Sequence, residues 1–146
     1  MTLDDFDLET ERQIYFEGIR QFNEGDFFEA HDTWEEAWHQ VRDRRREKFY
    51  RATIKGAVTL VLLRQGRAVG TRQVFVDCVN EYEGLPDVFM GLNIPKHIEH
   101  LRHAIRPAID DLEAKHVQIE PARLFQIELE YDPFEESRNG ENTARV

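Results

Sequence analysis

The sequence predicts an all-α fold, a single-domain bundle of about five helices with a short extended C-terminal segment. Three observations predict it. Apolar residues recur at steps of three and four from Leu8 to Leu112. Breakers at Gly25, Gly66 and between Gly84 and Asn93 cut that run into helix-sized pieces. After Lys115 the period drops to two, as in Phe125-Gln126-Ile127-Glu128-Leu129-Glu130-Tyr131.

The first helix is read from Leu8 to Phe22, with Ile14, Tyr15, Ile19 and Phe22 inward and Asn23 and Gly25 ending it. The second starts at once. Asp26 is a good N-cap residue, and Glu29 three residues later completes an acidic capping box. So short a link predicts a helical hairpin. On the second helix Phe27, Ala30, Trp34, Ala37, Trp38 and Val41 share one face. His31 falls at the edge of that face, Glu35 one turn on lies just outside it, and Asp32 and Glu36 turn toward water.

The third helix, about Arg46 to Gln65, is apolar on nearly all sides and is therefore central. Ala52 and Gly56 leave room for another helix, and Lys55 is the sole charge between Arg51 and Arg64. Its stem is read as reaching the surface, in slight preference to serving as a buried counter-ion. A fourth helix spans Ala68 to Tyr82. The apolar loop from Gly84 to Asn93 is expected to lie on the core, and a fifth helix, capped by Asn93, is kinked at Pro107. The alternating segments around Val117–Glu120 and Phe125–Tyr131 are expected either to form a hairpin or to lie along the bundle. A lone strand of this kind also offers an edge to a second subunit. The domain is bounded at residues 8 and 131, between an acidic N-terminal tail (1–7) and a flexible polar tail (132–146).

At 146 residues and 40% hydrophobic content, the chain can bury a core. Its net charge of −10 repels phosphate backbones, so nucleic acid is not an expected partner. No apolar run reaches the ~20 residues of a membrane span. Single Cys78 excludes an internal disulfide, and a cytoplasmic location is expected. Four lysines against fifteen arginines and 29 acidic residues match the balance of a salt-adapted protein.

The string Asn23-x-Gly25-x-Phe27-Phe28-Glu29-Ala30-His31-x-x-Trp34-Glu35-x-x-Trp38, followed by Arg46-x-x-Phe49-Tyr50, resembles the signature of the DUF309 family. The resemblance spans roughly Phe16 to Gly66. It implies a small all-helical fold and no established reaction. Where members often carry Gln in the third helix this chain has Lys55, and where a His often follows it has Val61.

The candidate site is therefore Glu29, His31, Trp34, Glu35, Trp38, Tyr50 and Lys55, between the second and third helices. One reading is structural: aromatic core, with His31 bonded to Glu35 and the Tyr50 hydroxyl bonded to Glu35 or His31. The other is catalytic: Glu35 orients His31 as a general base, or the pair begins a divalent metal site. His97, His100 and His103, three apart, cannot share one focus and read as surface residues of a charged helix. Two functions follow, a helical binding or scaffold domain, or a small hydrolase-like enzyme using His31 and Glu35. No cofactor is expected, and a divalent metal is compatible with the pair. The partner is a small molecule or protein, and homo-oligomers are compatible with the sequence.

Overall fold

Residues 6–135 are described by the computed structural model. Asp7 accepts the Thr10 N–H at 2.8 Å and starts helix α1, Leu8–Asn23. Gly25, at φ +86°, turns the chain back through a conformation that a side chain would strain. Helix α2 follows, Phe27–Gln40, with Asp26 at its N-cap position. The expected capping box does not form: Asp26 makes no side-chain cap bond and Glu29 is exposed. The turn is held instead by backbone bonds back to α1 and by Arg64 Nη1 donating to Gly25 O at 2.6 Å.

Helix α3, Arg44–Arg64, begins two residues earlier than its apolar pattern, because Asp43 accepts the Arg45 and Arg46 N–H groups. It is central, packed between α2 and helix α4, Ala68–Tyr82. The Ala52 and Gly56 notch is used as expected. Cys78 Sγ meets Ala52 O at 3.3 Å, and a Cβ on Gly56 would lie 3.2 Å from the Leu101 side chain.

Between α4 and helix α5, Ile94–Ala104, the apolar loop contains a short antiparallel ladder, β1 (Val88–Phe89) with β2 (Leu92–Asn93). Asn93 caps α5 by accepting the Lys96 N–H. Pro107 splits the fifth helix, leaving a separate short α6, Arg106–Ile109.

The two alternating segments do not pair as a hairpin. Each is anchored separately along the bundle. Val117 N–H donates to Gly66 O at 3.0 Å, beside a bridge between Arg67 and His116, and a 3₁₀ turn at Pro121–Arg123 redirects the chain. The following strap, residues 124–130, is clamped by Asn23, whose amide donates to Ile127 O at 3.0 Å and accepts the Ile127 N–H at 2.6 Å.

The folded part continues past residue 131. Phe134 is buried against Tyr15 and Phe16, and Asp132 pairs with Arg12 at 2.9 Å. At the other end Phe6 packs on the core. The rest of the expected tails, 1–5 and 136–146, lies outside the described residues. Among the described residues, 6–135, no helix is long and apolar enough to cross a membrane.

Candidate functional site

The geometry expected at positions 31 and 35 is present. One turn apart on α2, His31 Nε2 and Glu35 Oε1 are 2.8 Å apart, at 21% and 36% side-chain exposure. The opposite ring nitrogen, Nδ1, is enclosed without a hydrogen-bond partner among the described residues. Asp32 Oδ1 is 3.5 Å away, too poorly aligned to bond it. The Phe28 ring, itself exposed, stands beside the imidazole with centroids 5.6 Å apart.

The remaining expected members do not join this pair. Trp34 is fully buried, and its Nε1 donates to Tyr15 O at 3.1 Å. This contact depends on Gly18, where a Cβ would lie 2.1 Å from that nitrogen. Trp38 is half-buried and stacks on His39. Glu29 faces solvent. Lys55 reaches outward as its long stem allows, and its Nζ lies 3.5 Å from Glu81, a carboxylate it shares with Arg51 and Lys48. Burial works to raise the Glu81 pKa, but the surrounding cations outweigh it and hold the carboxyl below its ordinary value.

Tyr50 corrects the expected network. Its hydroxyl donates to neither Glu35 nor His31 but to Glu11 Oε2 at 2.8 Å. Glu11, on α1, is 2% exposed and also paired to the Arg46 guanidinium, whose Nε lies 3.2 Å from the same oxygen. Burial pushes the Tyr50 hydroxyl well above 10, as it does for Tyr15 and Tyr82, and pulls the Arg46 guanidinium below its ordinary value. Glu11 was legible in principle. It stands four residues before Tyr15 on the inner stripe of the first helix, and Arg46 and Tyr50 are themselves one turn apart.

His97 is the second correction. It is not a surface histidine but 3% exposed, ringed by Phe22, Tyr82 and Phe125. Its Nε2 is enclosed without a hydrogen-bond partner among the described residues. Burial, then the nearby His100, lowers its pKa to about 3. The turn spacing of α5 already put His97 one turn before the buried Leu101, which was the available signal.

Chemically, the α2 margin offers a hydrogen-bonded imidazole and two carboxylates. One ligand atom each from His31, Asp32 and Glu35 fall within 4.8 Å of one another, so among the described residues these three could hold a divalent ion. Two clefts lie elsewhere. One of about 530 Å³ runs between α5 and the strap, and one of about 660 Å³ opens beside Glu11 and Arg46; neither is lined by His31 or Glu35.

Comparison with known proteins agrees with the signature. The chain is 28% identical over 87 residues to an uncharacterized protein of Aquifex aeolicus (strain VF5). That match takes in 60% of this chain and 26% of the relative, so the chain spans about a quarter of the relative's length. Residues 15–74, from within α1 into α4, match the domain of unknown function DUF309. Over that segment the chain is similar to the DUF309 family.

Proposed function

We propose that this protein is a helical binding or scaffold domain without catalytic activity, in which the signature residues serve mainly to fix the packing of α1, α2 and α3. One observation carries the reading. Trp34, at the centre of the signature, is spent on a buried bond to the Tyr15 carbonyl rather than on the His31–Glu35 pair. The pair itself joins one turn of α2 to the next at the bundle's margin, with no ligand-sized cleft of those described beside it. The lone Cys78 supports a cytoplasmic setting, and the acidic, lysine-poor composition supports tolerance of high salt.

His31→Ala tests this. A structural pair that is partly exposed contributes on the order of 1 kcal/mol, read as a lower midpoint in urea unfolding. Unchanged or increased stability would be the mark of a functional group held at a cost, and would count against the proposal.

The second reading, a hydrolase-like centre at His31 and Glu35 with a divalent metal, is favoured by the 2.8 Å contact and the adjoining Asp32 carboxylate. Protein purified without a polyhistidine tag and carrying close to one equivalent of metal, lost in His31→Ala, would favour it. Less than about a tenth of an equivalent would remove its metal-dependent form.

A further inference from the structure

The strap 124–130 is anchored to α1 through Ile127 on one edge and, on the other, through Glu130, which leaves the stretch around Gln126 and Glu128 open on that second edge. Ile127 turns both its N–H and its C=O to Asn23 on α1. In an extended chain successive residues present their peptide groups to opposite edges, so Gln126 and Glu128 turn theirs away from α1. Glu130, of the same parity, shows where that edge lies: its N–H donates at 2.7 Å to Gly91 O, just before β2 and the start of α5. Among the described residues no hydrogen bond closes the backbone of Gln126 or Glu128. Between that edge and α5 runs the cleft of about 530 Å³, with His97 and Phe125 in its lining.

We infer that this cleft receives an extended segment of a partner protein, which pairs with the free edge of the strap as an added strand. Charge narrows the partner. Glu128 and Glu130 are exposed on the strap, Lys96 stands on the α5 wall, and the whole chain carries −10. A second copy of this chain is the wrong occupant. Antiparallel pairing of two straps would bring Glu128 and Glu130 near their counterparts, and like charges across a ladder destabilise it. A segment alternating basic with apolar residues fits. Its cations meet Glu128 and Glu130 and are drawn in by the net charge, while its apolar side chains turn inward over Phe125 and Leu129. This site shares no residue with the α2 margin, so its failure would leave the role of His31 untouched.

The test is a titration of the ¹⁵N-labelled full chain with a capped heptapeptide alternating lysine and valine, followed by amide shifts. Shifts should concentrate at Gln126, Glu128 and the first turn of α5. Methylating the peptide nitrogens along one edge should abolish them, and Glu128→Lys should weaken binding by about tenfold. Glu128 is exposed, so that variant keeps its fold, which its own amide spectrum checks. An alternating glutamate–valine peptide should bind at least about tenfold more weakly than the lysine one. No shift at millimolar peptide overturns the inference. So do shifts that survive nitrogen methylation, the mark of ionic contact alone, and so does saturation of the cleft by a small molecule with no response to either peptide.

Discussion

Glu11 and His97 are hidden to nearly the same extent, at 2% and 3% exposure, but the two ends of the molecule handle them in opposite ways. Between α1 and α3 the carboxylate is met by the Arg46 guanidinium and the Tyr50 hydroxyl. Under the strap, the imidazole has aromatic rings on three sides and a nitrogen with nothing to bond among the described residues. A titratable group taken out of water persists either by finding a partner or by giving up its charge. The α1–α3 core uses the first solution, beside the cleft of about 660 Å³. The α5–strap region uses the second, leaving a neutral ring beside an open cleft.

The α1–α3 side, where the Trp34 indole lies directly over Gly18, should be the least forgiving. At Gly18 an added Cβ meets three atoms of the Trp34 indole at 2.1, 2.4 and 2.5 Å, so Gly18→Ala must push the ring aside. Overpacking costs about 1–3 kcal/mol, and losing the Trp34 bond to Tyr15 O leaves a buried donor and acceptor unmet for about 1–3 more. We expect a loss of about 4 kcal/mol in urea unfolding, with a shift in tryptophan emission. A cost below about 1 kcal/mol would mean that the core relaxes easily and that the contrast between the two regions is overdrawn.

Pairing comes next. Glu11→Ala leaves Arg46 three-quarters buried and unmatched, which at this exposure should cost about 3 kcal/mol, the low end for a broken buried pair. Adding Arg46→Met should recover much of that loss, because the isolated cation is then gone. If the double variant were no better than Glu11→Ala, the Tyr50 hydroxyl rather than the ion pair would be the main dependency.

How far the sequence reached follows from the same physics. Helix positions, the hairpin of α1 and α2, and the central α3 are set by local periodicity and breakers, and local rules place them within a few residues. The His31–Glu35 contact was legible because residues four apart on a helix are neighbours by construction. Tyr50 went to Glu11 instead of the α2 pair because that choice depends on how three helices rotate against one another. A helical wheel carries no such information. The alternation marks the strap as extended but leaves a hairpin, the bundle surface and a second subunit equally open, since its anchor, Asn23, lies more than a hundred residues away in the chain. His97 escapes the pattern for a simpler reason: three histidines on a charged helix look solvated until another segment is laid over one of them.

The unpaired side can be tested by acid. With a folded pKa of about 3 against an ordinary 6.5, His97 is neutral in the native state and takes up its proton on unfolding. A depressed folded pKa means the contribution is complete above about pH 6.5 and is lost as pH falls toward 3. Over that window the slope is about 1.4 kcal/mol per pH unit, or roughly 2 kcal/mol gone by pH 5. His97→Leu removes the titration and the unmet nitrogen together. The variant should match or exceed the parent at pH 7 and lie above it by about 2 kcal/mol at pH 5, in urea unfolding repeated across that range. Parallel acid limbs would mean that the ring finds a proton partner in the folded state, most simply a solvent molecule reaching it from the cleft. The two regions would then share one solution to burial instead of two.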